Sequence, residues 1–401
     1  MSRRDLSQPS FVDAMVSGYG KVGGFLDRIE KAFDWSSFEA LLSPIHGSAT
    51  GAPGYPPLTM FKILLLQQWH TLSDPAAEEA VRDRLSFRRF CGLPLEIETP
   101  DHASIWRFRQ AIDKLGLSTK LLAEVNCQLD ALGLIIKRGT LVDATIIAGA
   151  VRRPYEGGGV NPRDPEARFT RKRDKTYFGY KAHLAVDEES GLVRQAEMTP
   201  ANVHDSRLGD ALIQGDEQGF FADRAYDSQA LRETLEARGL VDGIAWKVKH
   251  PRYPLEPWQK LHNAWAGSVR SAVERAFATM KRWYGMGRVR YLGRARNAYH
   301  LQFVAMAMNM KRALVLVCAP LTRSQERRPE SPGKRTIAGQ TAKRSPTHPS
   351  KPVIAASTHS SQQRTPFCKA LCRPSHPLSD VQSKAARSNA SANEPPTEVD
   401  T

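Results

Sequence analysis

The sequence has little cysteine: five among 401 residues, at Cys91, Cys127, Cys318, Cys368 and Cys372. An odd, scattered set argues against a disulfide framework and for a reducing compartment. Cys368, Cys372 and His376 have ligand-like gaps, but no second half-site follows, so they are read as chance. Long apolar runs are also lacking. The longest nearly unbroken stretch, Ala313 to Leu321, is well short of the ~20 residues a membrane helix needs. The opening residues MSRRDLSQPSFVDAM contain no apolar h-region, so no secretory signal is expected. No internal repeat is found. Gly157, Gly158 and Gly159 do not join a strand to a helix, which excludes a glycine-rich phosphate loop. A cytoplasmic protein with no membrane partner is expected.

Acidic residues are outnumbered. Lys and Arg total 57 against 42 Asp and Glu, leaving +15, and the pI is near 9.7. Such a balance points to a polyanionic partner, of which nucleic acid is the usual one, against the plainer reading of solubility. From Leu321 on there are 13 basic and six acidic residues, so +7 lies there and +8 before it. Residues 321–401 are rich in Ser, Pro, Thr, Lys and Arg. They carry too little patterned hydrophobicity to offset chain entropy and are expected to be a disordered tail.

Residues 1–134 read as a helical domain. Leu58 to His70 is an apolar helix opened by Pro56 and Pro57. Asp74 with Pro75 suggests a cap and first-turn proline for a helix reaching about Phe90. Asp101 and Ser118 suggest caps for two further helices, the second ending at Gly133. The Asp101 helix carries Ile105, Trp106, Phe108 and Ile112, with Arg107 and Arg109 expected outward toward a DNA groove. A merely solvated polar face fits that pattern equally well.

Residues 135–320 change to a mixed α/β pattern. Thr140 to Ala148, TLVDATIIA, is a β-branched apolar run. Phe178 to Val186 and Leu192 to Met198 form a hairpin across the turn of residues 187–191. A short helix over Asp205 to Gln214, a strand at Gly219 to Ala222 and a helix over Ser228 to Arg238 follow. Val241 to Val248 is a fifth strand, and one long helix is expected over His262 to Tyr284.

Three acids stand out. Asp143 interrupts an apolar strand, where a buried carboxylate is costly unless paired or metal-bound. Asp223 directly follows another apolar strand, and open α/β sheets place their sites at such carboxyl ends. Each alone fits a capping or turn aspartate; two in comparable places suggest one site. At 100° per residue, Glu274 and Lys281 lie within about 40° of Arg270 on the long helix. Val269, Val273, Phe277, Met280 and Tyr284 form an adjacent apolar stripe. A surface Arg–Glu pair is the plainer account of that helix taken alone. Three such carboxylates suit a two-metal site, since Mg²⁺ takes hard oxygen ligands and two ions can drive phosphodiester displacement.

The segments LVDATIIA, FADRAYDS and RSAVERAFATMKRWYG resemble the three catalytic segments of DDE transposases from bacterial insertion sequences. The insertion sequence 5 group, within the insertion sequence 4-like superfamily, is the most similar. That superfamily's signature spaces Tyr, Arg, Glu and Lys; Arg270, Glu274 and Lys281 match it, while the Tyr position is Gly267. YFGYKAHLAVDEESGLV, TPANVHDS, PPLTMFKILLLQQWH and TPDHASIWRFRQ also resemble the group, so the likeness spans about residues 45 to 316. It implies a ribonuclease H-like catalytic domain, with Asp143, Asp223 and Glu274 binding two Mg²⁺ ions, for which Mn²⁺ can substitute. Arg270 and Lys281 would contact DNA near the cut. The protein would nick double-stranded DNA at the element's ends, free a 3′-hydroxyl and join it to target DNA. A homodimer bridging two ends, associated with the bacterial nucleoid, is implied. His183, His204 and Asp205 are candidates for support of the site, or for ordinary structural hydrogen bonds. Trp246, with Trp258 and Trp265 as rivals, is a weaker candidate for stacking on an unpaired base. Two rival functions are a catalytically decayed, transposase-derived DNA-binding protein and another ribonuclease H-like nuclease.

Overall fold

In the computed structural model, the described residues are 6, 24–45, 54–152, 160–172, 174–248 and 250–318. The expected tail, its Cys368–Cys372–His376 trio and Gly157 to Gly159 lie outside them. Among the described residues seven helices come first: α1 (Phe25–Ala32), α2 (Trp35–Leu42), α3 (Pro57–His70), α4 (Asp74–Asp83), α5 (Leu85–Cys91), α6 (His102–Lys114) and α7 (Leu117–Ala131). Asp101 caps α6 as expected, its Oδ1 accepting the Ser104 amide at 2.7 Å. Two other caps differ. Ser73, not Asp74, caps α4, because the Asp74 carboxylate is taken by Gln67 and Arg109. Gly116, in the left-handed region at φ 60°, precedes α7. Ser118 is instead buried and donates to Gln302. The expected helix from Asp74 to Phe90 is two helices, because Arg84 is extended (φ −102°, ψ 111°). That one residue re-aims the chain and lets Phe87, Phe90 and Cys91 enter the core.

Among the described residues the sheet has six strands: β1 (Thr140–Ala148), β2 (Arg168–Lys172), β3 (Lys175–Asp187), β4 (Val193–Pro200), β5 (Gly219–Ala222) and β6 (Val241–Ile244). The main order is β2-β3-β1-β5-β6, with β4 also on β3. β1 and β3 are antiparallel; β1, β5 and β6 run parallel. β2 and β4 share one edge of β3, β2 pairing with its first half and β4 with its second. β2 has no counterpart among the expected strands: RFTRK is mostly polar and half-exposed. The expected strand to Val248 stops at Ile244. There the Asn263 side chain replaces the ladder, accepting the Trp246 amide and donating to its carbonyl. The expected helix over Asp205 to Gln214 is two 3₁₀ turns, Asp205–Leu208 and Asp210–Leu212.

Helix α8 (Gln229–Ala237) links β5 to β6, and α9 (Pro257–Val269), α10 (Ser271–Trp283) and α11 (Arg294–Cys318) follow. Strand alternation sends Leu141 and Phe221 to one face and Val142, Phe220 and Ala222 to the other. The first face joins a large apolar cluster with α10, α11 and the N-terminal helices. The second packs against α8 in a smaller cluster. The core is therefore continuous across residue 134: Phe303 of α11 meets Phe61 of α3, and Asn309 of α11 holds Val193 of β4. No helix among the described residues is long and apolar enough to cross a membrane.

Candidate active site

Asp143 and Asp223 are neighbours by register. β1 and β5 pair in parallel with Val142 beside Ala222, so each aspartate is the next residue along its strand. By period-two alternation both share the face of Leu141 and Phe221, the face α10 covers. Their poses match: each Oδ1 accepts the following backbone amide at 2.7 Å, from Ala144 and from Arg224. A parallel pair of central strands thus delivers two carboxylates to one point.

Arg270 bridges them. Its guanidinium donates to Asp143 Oδ2 at 2.9 Å and lies 3.4 Å from Asp223 Oδ1. It reaches this point from the junction of α9 and α10. The expected single helix over His262 to Tyr284 is broken there, with Arg270 at φ −72°, ψ −5°. Its amide bonds to the Gly267 carbonyl, a tight three-residue turn at a residue of low helix propensity. Burial raises the Asp143 carboxyl above the usual carboxylate range. Arg270 and the Ala144 amide pull it down, and the Asp223 charge pushes it up again. Two carboxylates in a partly desolvated site therefore require a cation, and here a guanidinium supplies it.

Glu274 stands one turn further on α10. It is exposed and joins no hydrogen bond or ion pair among the described residues. No three His, Cys, Asp or Glu side chains among the described residues are grouped to hold a metal ion. The structure thus brings Asp143 and Asp223 together and leaves Glu274 apart. The donor set of the pair does fit a hard divalent cation: carboxylate oxygens gathered where a positive charge already sits between them. Lys281, on the same stripe, donates from Nζ to Thr145 Oγ1 at 2.6 Å and to the Ile146 carbonyl at 3.2 Å. The expected apolar stripe is buried at Val273, Phe277, Met280 and Tyr284. A Cβ built at Gly267 meets nothing within 4 Å, so a side chain there would enter open space.

Arg107 and Arg109 do not share a face. Two residues on a helix are about 200° apart, so only one can point outward. Arg107 is exposed. Arg109 is 5% exposed, ion-paired to Asp74, bonded to Gln67 and set over the Tyr291 ring. The expectation that Arg109 faces a DNA groove is therefore corrected: it is a core cation with its charge already compensated.

The supporting histidines make internal contacts. His183 is fully buried, bonded to the Tyr226 hydroxyl at 3.2 Å and to Thr199 Oγ1 at 2.9 Å. Burial lowers its pKa to about 4, so it is neutral near pH 7. His204 bonds Ser206, and Asp205 pairs with Lys181 at 2.8 Å. Tyr226 was not singled out by sequence; its signal was its place three residues after Asp223. It follows β5 and reaches β3, tying the Asp223 turn across β1. Trp246 has one face covered by the Arg232 guanidinium at 3.6 Å and Trp258 against it edge-on. Trp265 packs on Phe221. Both are packing residues in this structure.

Two family models match the chain. A Transposase domain (DUF772) matches residues 13–111, and a Transposase DDE domain matches residues 136–310. Together they span well over half of it. The chain belongs to the DDE transposases. Among solved structures it is similar to a piggyBac transposase synaptic complex with hairpin DNA: 10% identity, 75% of this chain and 81% of that chain, TM-score 0.32. The Mos1 strand transfer complex matches at 13% identity over 75% of this chain and 88% of that one, TM-score 0.18. A Mos1 mariner paired end complex with Mn matches at 10% identity over 77% and 93%, TM-score 0.16. The transposase is an enzyme that cleaves and joins DNA, and its family implies dependence on a divalent metal. Its sheet, read β4-β3-β1-β5-β6 with β3 antiparallel, is the ribonuclease H-like arrangement. The inserted β2 makes Asp223 follow the fifth strand rather than the fourth.

Proposed function

We propose that this transposase serves a bacterial insertion sequence of the insertion sequence 5 group. It binds the element's ends, cleaves to free a 3′-hydroxyl and joins that hydroxyl to target DNA, working in the cytoplasm on nucleoid DNA. The observation that carries the reading is the register-matched pair Asp143 and Asp223, held on one face by Arg270. Asp143 and Asp223 would hold the metal, with Glu274 completing the set from the first turn of α10. Two Mg²⁺ ions, or Mn²⁺, would supply Lewis-acid stabilisation of the attacking and leaving oxygens.

The chain's own residues do the remaining work. Asp143 and Asp223 are fixed by backbone amides, so little reorganisation precedes metal capture. Arg270 neutralises the pair, and its guanidinium would donate to a DNA phosphate when the carboxylates hold a metal. Lys281, anchored on Thr145, offers a charge beside the strand being cut. Arg107, exposed on α6, contacts DNA away from the cut. A homodimer bridges the two ends. The division into a helical DNA-binding part, residues 1–134, and a catalytic part, 135–320, is one of role, since both share a core.

The test is an excision and strand-transfer assay on the DNA flanking the gene, with Mg²⁺. Wild-type activity that Glu274→Gln abolishes supports the full reading. Equal activity in both removes Glu274 from the site. End binding without activity in the wild type means a decayed enzyme.

A further inference from the structure

Beyond α10 the chain turns back along the end of β1. The Ala148 amide donates to the Gly287 carbonyl at 3.2 Å, and the Val289 amide to the Ala148 carbonyl at 2.8 Å. Arg288 donates from Nε to the Gly149 carbonyl and from Nη2 to the Ala150 carbonyl, both at 2.9 Å. With Arg270 on Asp143 and Lys281 on Thr145 and Ile146, three cations are tied in order to one strand and its extension. At ~3.3 Å per residue, Asp143 to Gly149 spans about 20 Å. That equals about six nucleotides at 3.4 Å rise per strand.

The line ends at a cavity of ≈ 220 Å³. Gln68, Thr71, Tyr284, Arg288, Arg290 and His300 line it. Its interior groups are neutral donors and acceptors. His300 is buried; its Nε2 meets Gln68 Oε1 at 3.1 Å, and its Nδ1 is buried with no partner. The charges are both positive. Arg288 meets only backbone carbonyls, and Arg290 forms no ion pair among the described residues. The acid that acts on Arg290, Asp74, is already paired with Arg109. Two guanidinium groups with no acid partner among the described residues suit a phosphate, which accepts from both. At ~30 Å³ per water, the volume holds about seven waters, enough for a phosphate group and a few of them.

We propose that this cavity is a phosphate subsite of the DNA track, holding a backbone phosphate about six nucleotides from the cleaved bond. The proposal rests on the DNA-end reading above. Arg290 is its principal ligand and Arg288 fixes its rim.

The experiment measures binding of the full chain to an element-end duplex against salt, for wild type, Arg290→Gln and Arg290→Lys. Melting temperatures of the three check that each folds. The slope of log affinity on log salt should shrink by about one in Arg290→Gln and recover in Arg290→Lys. Ethylation of the phosphate about six nucleotides from the cut should impair wild-type binding and leave Arg290→Gln indifferent. Identical slopes and interference in wild type and Arg290→Gln, both folded, overturn the proposal. Calorimetry with inorganic phosphate separates the sources: binding lost in Arg290→Gln while DNA slopes stay equal means a free-anion site, and overturns it too. A wild type that does not bind the duplex removes the DNA-end reading itself, a distinguishable failure.

Discussion

Arg109 and Arg107 differ by two positions and by everything else. Arg109 fills a buried site against Asp74, where burial raises the carboxyl but hydrogen bonds from Arg109 and Gln67 outweigh it and hold it low. Removing one partner of a buried pair leaves the other unpaired. Arg109→Ala should therefore destabilise the fold by about 3 kcal/mol, read by chemical denaturation. Arg107→Ala should change stability by less than ~0.5 kcal/mol and weaken DNA binding, read by anisotropy. His300 gives a pH signature. Burial lowers its pKa to about 3 from the usual 6.5, with Arg290 and Arg109 adding to the effect. The unfolded chain takes up this proton below pH 6.5 and the folded chain does not, so its contribution to stability falls as pH drops from 6.5 toward 3. Carboxylates held low act only below about pH 4. Melting temperature between pH 6.5 and 4 should therefore fall more steeply in wild type than in His300→Gln.

At the scale of elements, what the sequence disclosed followed its periodicities. TLVDATIIA and GFFA read as strands at their true bounds, because β-branched and aromatic residues on covered faces leave no other period. The Asp101 cap was legible because its carboxylate accepts the Ser104 amide of its own helix. Asp74 looked the same but is claimed by Arg109, which sits 35 residues later and was invisible to a local pattern. The break at Arg270 was hidden for another reason: its angles stay near the helical region, so Arg270, Glu274 and Lys281 keep their spacing across it. The site was legible as two strand-end acids; the ion pair that joins them needed register. β3 carries a further constraint. Gly179 lies at φ 149°, and a Cβ there would stand 2.3 Å from the Ile147 carbonyl oxygen. Gly179→Ala should cost more than ~1 kcal/mol, seen as a lowered melting temperature.

For the whole molecule, α11 is the element that joins the parts. It packs against α3, α7 and β4, and its Asn309 and Gln302 bond to β4 and α7. A chain ending before residue 294 should lose the shared core and show no cooperative thermal transition. Intact chain should melt the helices and the sheet together, with fluorescence and circular dichroism coinciding. The central claim is that Asp143 and Asp223 are the paired carboxylates that serve DNA cleavage. Its most direct test is a nicking assay on an element-end duplex with Mg²⁺, comparing wild type with Asp143→Asn at equal DNA occupancy. Losing several kcal/mol of transition-state stabilisation predicts at least a hundredfold slower nicking, ~1.4 kcal/mol per decade, with binding retained. Nicking by Asp143→Asn at the wild-type rate would contradict it.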